Sequence, residues 1–365
     1  MSAFIFPDTR PYPETPVKNN LLIHAKALAE GASPAQRKLS QESLHAEICG
    51  MLQQNYFLGL SVAMSMAESA AVYRVLLENL TDVLNAEKDE EIQWFAMPLV
   101  LVAGCNQAQP LGLGVPAAAL RTCLEQHPHL RALNRAQWLP FLVPSADLSD
   151  IDAGAWFAAK QNIEAAQAFA RRFRPSELSL PDGQSVHVVY ALGYGGAEIR
   201  EALGRNLLDA GLPLMQIWQE SLSKQSVTLF VNPLSPDAPL HALTEGSHMR
   251  QRMAMDVFAA NAIRAVRLQS PRVGVVAAAQ QGGKILFGFN AADGAFEVEP
   301  LVYAWTLSPA DHIGTVQQNF LDLMAECRVE HVYLLHDPIS ENRPLPAYAQ
   351  ALKLAGHNPF FAELQ

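Results

Sequence analysis

The hydrophobic positions of this 365-residue chain change their period near Trp94. Before that point, apolar side chains recur three and four residues apart, as in the run from Leu58 to Leu84, and this spacing predicts amphipathic helices. After it, short and almost wholly apolar runs predict strands that are covered on both faces. We therefore expect a helical region at residues 18–91, preceded by an extended, proline-rich arm at residues 1–17.

The strand-like runs recur at intervals of roughly ninety residues, which indicates a structural repeat. They begin at Met97, Val188 and Arg272, and each leads to a second apolar run that ends in proline. The first two lead there through a helical pattern, and the third leads there through extra strands. Strands that alternate with helices predict βαβ units, which join parallel strands by right-handed crossovers. The expected fold class is therefore α/β, with the helical region followed by three repeated β-α units that form a mixed, largely parallel sheet.

The same repeat predicts the domain boundaries. We expect the first α/β unit at residues 92–180, the second at 181–270 and the third at 271–365. The third unit should contain an antiparallel meander, because a Gly-Gly pair at 282–283 and an Asp-Gly pair at 293–294 are turn signals between apolar runs. A set of ferredoxin-like or roll-like modules is the alternative architecture.

Composition narrows the classes of partner. A net charge of −10 argues against binding to nucleic acid or to anionic membranes, since both need clustered Lys and Arg. The most apolar stretch is about half as long as a membrane-spanning helix, and the N-terminal sequence lacks the pattern of a signal peptide. The four cysteines form no Cys-x-x-Cys pair, which fits reduced thiols. We expect a cytoplasmic protein.

A glycine-rich turn is the first candidate ligand site. Gly193, Gly195 and Gly196 follow an apolar run and precede a helical pattern, and backbone amides at such a turn can hold a phosphate. Glu198 replaces the third glycine of the dinucleotide-binding fingerprint, so a tight turn with close packing is the alternative. Asn106 occupies the matching place in the first unit, and we predict that it binds ligand together with these glycines.

His336 and Asp337 end the last apolar run and are the predicted catalytic pair. Ligands of open parallel sheets lie beyond the C-terminal ends of the strands, where His336 would serve as an acid or base oriented by a carboxylate. Capping of the strand end is the alternative. Cys105 has no basic neighbour in sequence to activate it as a nucleophile, so we expect an unreactive loop thiol.

His241, Glu245 and His248 are spaced to share one helical face, where two imidazoles and a carboxylate can bind zinc. The spacing is not that of the His-Glu-x-x-His motif, and Gly246 should interrupt the helix. We therefore predict a solvated turn here, with no bound metal, and the chain shows no motif for a cofactor.

The segment Met64-Ser-Met66-Ala-Glu68-Ser-Ala70, the strand at Leu99 and the helix after Val115-Pro116 resemble a family of betaproteobacterial proteins known only as a domain of unknown function. The order of elements resembles that family over most of the chain, including a C-terminal Val-Gly-Val-Val strand with its meander. A cysteine-bearing tail found in such proteins is missing after Cys327. The resemblance implies a cytoplasmic protein and assigns no activity, cofactor or catalytic residue.

Two functional hypotheses follow. The first is a protein that binds a small ligand or a protein partner, a second copy of itself included, and that has no recognisable catalytic apparatus. The alternative is an enzyme that acts on a small anionic or phosphorylated substrate at the C-terminal strand ends. Strand ends that converge on one polar pocket would favour the enzyme, whereas a flat apolar face would favour a protein partner.

Overall fold

A computed structural model describes residues 19–31, 33–54, 56–85, 92–149, 151–223, 226–280, 283–292 and 301–335. The described chain divides into two compact units. The larger unit draws on residues 17–66 and 75–250, and the smaller on residues 67–74 and on the chain from residue 251 onwards. The division predicted from the sequence, into an arm, a helical region and three α/β units, stays a prediction.

Strands first appear after residue 92, where they are interspersed with helices. The helices are α1 (Asn20–Ala29), α2 (Pro34–Gln53), α3 (Phe57–Ser65), α4 (Ala70–Asn85), α5 (Ala117–Gln126), α6 (Ser145–Ser149), α7 (Ala153–Ala159), α8 (Ile163–Ala170), α9 (Gly211–Leu222), α10 (Pro239–Arg267) and α11 (Ile313–Glu326). The strands are β1 (Gln93–Cys105), β2 (Gln109–Gly112), β3 (Gln137–Trp138), β4 (Val143–Pro144), β5 (Glu177–Leu180), β6 (Gly183–Gly195), β7 (Val227–Pro233), β8 (Val273–Gln280), β9 (Lys284–Ala291), β10 (Leu301–Thr306) and β11 (His331–Leu335). Short 3₁₀ helices span Pro128–Arg135, Ala197–Ala202 and Leu208–Ala210.

The helical region begins with well-capped helices. The side chain of Ser33 caps α2 and forms a capping box with Gln36, and Pro34 takes the first helical position. The side chain of Asn19 caps α1 by accepting a hydrogen bond from the Leu21 N–H at 2.9 Å. The helices expected from the apolar spacing between residues 18 and 91 are thus present in the described part of that range.

Antiparallel pairing builds the main sheet of the larger unit. β1 and β6 pair along their whole lengths, from Gln93 opposite Gly195 to Cys105 opposite Gly183, and β7 pairs antiparallel with the other edge of β1. The strand order is β3-β6-β1-β7, and β4 also pairs with β6. β2 and β5 form a separate antiparallel pair. The predicted largely parallel sheet of repeated β-α units is therefore wrong.

The predicted strands themselves are correct. The apolar runs that begin at Met97, Val188 and Arg272 form β1, β6 and β8. β1 is buried on both faces along most of its length, and it packs with α5 and α9 in one core. Burial on both faces removes the alternation of polar and apolar residues that usually marks an antiparallel strand. The wholly apolar run of β1 therefore favoured the prediction of a parallel sheet.

The smaller unit contains the described strands that do pair in parallel. β8, β9 and β10 pair antiparallel in chain order, which is the meander predicted from the turn signals. β11 then pairs parallel with β8, with His331 opposite Gly274. α11 and the C-terminal part of α10 pack with this sheet in the second core. Within the described ranges, no helix is both long enough and apolar enough to cross a membrane.

Candidate functional site

An open cleft of about 540 Å³ lies where β7 ends and α10 begins, within the larger unit. Its walls combine polar and apolar side chains, the usual make-up of small-molecule sites. The polar residues are Asn206, Ser235, Asp237, His241, Thr244 and Glu245, and the remaining ones are Gly204, Leu207, Pro233, Leu234 and Ala242. We call this space the His241 cleft.

Backbone hydrogen bonds hold the segment between β7 and α10 against β1. The N–H of Asp237 donates to the carbonyl oxygen of Ala96 at 2.9 Å, and the N–H of Ala96 donates back to the carbonyl oxygen of Asp237 at 2.8 Å. The N–H of Leu234 donates to the carbonyl oxygen of Pro98 at 2.8 Å. Because its backbone is bonded on both sides, Asp237 presents its carboxylate to the cleft from a fixed position.

Asp237 and His241 form a hydrogen-bonded pair at the start of α10. The Oδ2 of Asp237 lies 3.4 Å from the Nδ1 of His241, and its Oδ1 accepts a hydrogen bond from the Ala238 N–H at 2.7 Å. The hydrogen bond to Asp237 raises the pKa of His241; burial opposes the rise, and the negative charges of Asp237, Asp82 and Glu78 add to it. Since Nδ1 faces the carboxylate, Nε2 is the ring nitrogen left to meet a ligand.

The remaining polar groups make the cleft rich in hydrogen-bond acceptors. Glu245 lies one turn after His241 and is exposed to solvent. The hydroxyl of Thr244 donates to the carbonyl oxygen of Leu240 at 3.0 Å, so toward a ligand it acts as an acceptor. Two carboxylates and this hydroxyl oxygen therefore offer lone pairs to the cleft, which suits a ligand that carries N–H donors.

The zinc constellation considered from the sequence is not assembled. α10 runs without a break from Pro239 to Arg267, so the expectation that Gly246 interrupts the helix is wrong. His241 and Glu245 line the cleft, whereas His248 does not. In the part of the chain that the structure describes, no group of three His, Cys, Asp or Glu side chains is placed to hold a metal ion.

Sequence reasoning grouped His241 with the residues that follow it and missed Asp237, which precedes it by four. An acidic residue directly before a helix and a histidine one turn later is a local signal that could have identified the pair. Because Gly246 was expected to interrupt the helix, a solvated turn was predicted around His241, and Asp237 was given no structural role.

The glycine turn is closely packed by side chains of the same chain. Gly193 and Gly195 end β6, and Gly196 precedes the 3₁₀ helix Ala197–Ala202. At each glycine a Cβ would meet a neighbouring side chain: that of Phe95 at Gly193, of Ile199 at Gly195 and of Glu198 at Gly196. This arrangement favours the close-packing interpretation. The ligand-binding role of the three glycines stays a prediction.

Asn106 lies at the opposite end of β1 from that turn. Cys105 pairs with Gly183 and Gln93 pairs with Gly195, so the whole of β1 separates Asn106 from the glycines. At about 3.3 Å per residue, this separation is roughly 40 Å. The structure therefore does not bring the predicted ligand-binding residues into one site.

The predicted catalytic pair, His336 and Asp337, lies outside the described residues. The strand that precedes it, β11, belongs to the smaller unit, whereas Asn106 and the glycine turn belong to the larger one. The role of this pair in catalysis stays a prediction.

A second open cleft, of about 610 Å³, borders the 3₁₀ helix that follows the glycine turn. It contains charges of both signs. Its lining includes Arg131, Arg135, Arg205, Glu198 and Glu201. Among the described residues, no ion pair within 4.0 Å joins these arginines to these glutamates. We call it the arginine cleft and use it below as a reference, since its charges nearly balance.

Comparisons with models of known protein families, with curated proteins and with solved structures each found no match. The resemblance to the betaproteobacterial family therefore stays a prediction, and the site is interpreted from its geometry.

Proposed function

We propose that the protein binds a small molecule that carries an amino group, and that the ligand occupies the His241 cleft. The observation that carries this proposal is the acceptor-rich wall made by Asp237, Thr244 and Glu245 beside His241. Solvent screening limits an exposed pair of an ammonium and a carboxylate to about 0.2–1 kcal/mol, so the two carboxylates together favour a cationic ligand with modest affinity. A concave, polar-lined cleft supports a small ligand over a flat protein partner.

A cytoplasmic location is part of the same proposal. It is supported by the four thiols, Cys49, Cys105, Cys123 and Cys327, all of which are free. Unpaired cysteines scattered over a long chain are typical of a reducing compartment. The net charge of −10 supports a small cationic ligand over nucleic acid.

Acid-base catalysis in this cleft is the second candidate. The hydrogen bond between Asp237 and His241 favours it, because a carboxylate that orients an imidazole is the usual arrangement of a general base. The cleft also begins where β7 ends, as an enzyme site at a strand end would. Its two carboxylates disfavour the anionic or phosphorylated substrate that was expected, and they favour an amine substrate instead.

A paired screen tests the proposal. Primary amines, diamines and amino sugars are compared in thermal-shift assays with carboxylates of matched carbon skeleton, since a ligand specific for the native state raises apparent stability. We expect the amines to raise the melting temperature and the carboxylates to leave it unchanged. The best amine is then titrated by calorimetry.

Two glutamate variants localise the binding. Glu245→Gln should weaken binding of the amine about two- to fivefold, because it removes one solvent-exposed charged acceptor. Glu201→Gln makes the same change in the arginine cleft and should leave the Kd unchanged. Stabilisation by carboxylates alone, or an equal loss in both variants, would contradict the proposal. Chemical conversion of the bound amine, lost in His241→Gln while binding persists, would establish the enzyme.

A further inference from the structure

The arginine cleft is lined by residues of two short 3₁₀ helices, Pro128–Arg135 and Ala197–Ala202, and by Arg205, which follows the second helix. Its volume of about 610 Å³ lies within the usual range of small-molecule sites, roughly 300–1,000 Å³. It shares no lining residue with the His241 cleft. Three arginines and two glutamates line it, so guanidinium groups outnumber carboxylates.

Buried side chains fix the backbone that carries two of the arginines. Arg131 and Arg135 belong to the first 3₁₀ helix, whose Leu130 and Leu133 are fully buried. The two 3₁₀ helices pack against each other, and their buried side chains belong to one hydrophobic core. Arg131 and Arg135 therefore extend from an anchored backbone, as a preorganised binding site requires.

A hydrogen bond within the same wall orients the third arginine. The Nε of Arg205 donates to the backbone carbonyl oxygen of Glu201 at 3.1 Å. A guanidinium has five N–H donors, so four of those of Arg205 remain to meet a ligand. Because the group is planar, the bond at Nε also limits the directions in which the two terminal nitrogens can point.

The arginines are not neutralised by the glutamates of the cleft. All three are exposed, and in the described chain none of them forms an ion pair within 4.0 Å with Glu198 or Glu201. The fork of a guanidinium matches an oxyanion, because two of its N–H groups can donate in parallel to two oxygens. Three such groups on one cleft therefore favour an anion with several acceptor oxygens.

We propose that the arginine cleft binds a phosphoryl group, whose oxygens accept from Arg131, Arg135 and Arg205. A phosphoryl group has three acceptor oxygens and up to two negative charges, whereas a carboxylate has two oxygens and one charge. The glutamates favour a small ligand over nucleic acid, whose binding requires clustered cations. The glycine turn takes no part, because none of its three glycines lines the cleft. The site stands or falls independently of the amine site in the His241 cleft.

Protection from phenylglyoxal, which modifies accessible guanidinium groups, measures occupancy residue by residue. The full chain is modified at constant ionic strength and at about pH 8, where phosphate is mostly a dianion, and peptide mass spectrometry follows each arginine. Inorganic phosphate should slow the modification of Arg131, Arg135 and Arg205 saturably, in the millimolar range. Arg121 is the internal control, because it is exposed on α5 but does not line the cleft.

Variants of exposed side chains test the role of each charge. Arg135→Gln and Arg205→Gln should each raise the phosphate concentration needed for half-protection of the remaining cleft arginines about two- to fivefold, the effect of one exposed ion pair. Arg121→Gln is the matched control and should not change it. Glu201→Gln should lower this concentration, because it removes a repelling carboxylate. An increase in Glu201→Gln would contradict the proposal, whatever the result for amines in the His241 cleft.

Glycerol 3-phosphate separates the two sources of a phosphoryl group. Half-protection at a lower concentration than with inorganic phosphate indicates a phosphorylated small molecule, and half-protection at an equal or higher concentration indicates free phosphate. Either result upholds the site. Protection by acetate as strong as that by phosphate, equal protection of Arg121, or no protection of the three cleft arginines would overturn it.

Discussion

The hydroxyl of Tyr190 lies directly against Gly246, where a Cβ on the glycine would stand 2.6 Å from the hydroxyl oxygen. Tyr190 is wholly buried in β6, and its hydroxyl donates to the carbonyl oxygen of Leu243 at 3.3 Å. Burial raises the pKa of Tyr190 to about 12, against smaller opposing effects of Ser145 and Arg250, so the phenol keeps its proton. This contact sets the first turns of α10, which carry His241, against the main sheet.

Gly246→Ala should therefore destabilise the protein. Alanine normally stabilises a helix interior by about 0.5–1 kcal/mol relative to glycine. Here the new methyl group meets the Tyr190 ring and also the Cβ of Pro98, at 3.1 Å, so we expect a net loss of about 1–3 kcal/mol in the free energy of unfolding. Urea denaturation measures it. Tyr190→Phe removes the nearest atom and should recover part of the loss in the double variant.

Gly50→Ala is the matched control in the same unit. Gly50 also lies inside a helix, α2, but beyond that helix's own backbone no atom of the described residues lies within 4 Å of the position that its Cβ would take. This change should raise the free energy of unfolding by about 0.5–1 kcal/mol. If both variants gain stability, the contact between Tyr190 and Gly246 does not constrain α10.

How far the sequence predicts this fold is clearest at β1 and β6. Their apolar composition predicted strands correctly, because burial on both faces excludes polar residues whichever way the neighbouring strand runs. Whether two strands pair parallel or antiparallel depends on which strand becomes the partner. Gln93 pairs with Gly195, roughly a hundred residues away, and no local pattern encodes that register. The meander of β8, β9 and β10 was predictable because its turns lie within the pattern itself.

The glycine turn yields a second prediction. Gly193→Ala should cost about 2–3 kcal/mol, because its Cβ would meet the ring of Phe95 at 2.5 Å and the backbone oxygen of Gln137 at 3.3 Å, and neither can move freely. Gly195→Ala should cost under about 1 kcal/mol, because the atom it meets is the flexible end of Ile199. Equal costs in urea denaturation would contradict the packing described here.

Native alkylation gives a third prediction. Cys105 and Cys123 are 6% and 4% exposed, and burial raises the pKa of the Cys123 thiol, so neither should react with iodoacetamide in the folded protein. Cys49 and Cys327 are half-buried, but burial also raises the pKa of Cys327. Mass spectrometry should therefore find Cys49 labelled first, and all four thiols labelled after denaturation. Rapid labelling of Cys105 would instead indicate an activated nucleophile.

The candidate site was less predictable than the strands. His241 was singled out by residue type, but its partner Asp237 lies before the helix, and the acceptor-rich wall depends on where α10 begins.

The pH dependence of His241 gives the last prediction. The folded-state pKa of His241 is raised above 6.5, first by the hydrogen bond to Asp237. A raised pKa contributes stability that is fully present below the unfolded value and is lost as pH rises through the folded value. Asp237→Asn keeps the oxygen that accepts from the Ala238 N–H but removes the charge, so the pKa of His241 should fall.

Two measurements follow from that shift. Histidine NMR titration should show the fall in pKa, and the deficit of Asp237→Asn in the free energy of unfolding should be larger at about pH 6 than at about pH 8. Because His241 is half exposed, we expect this deficit to stay below about 1 kcal/mol. Binding of an amine should strengthen as pH rises through the pKa of His241, since the neutral ring no longer repels the ammonium. In Asp237→Asn that transition should move to lower pH, and a transition that stays in place would mean that the carboxylate does not control the ring.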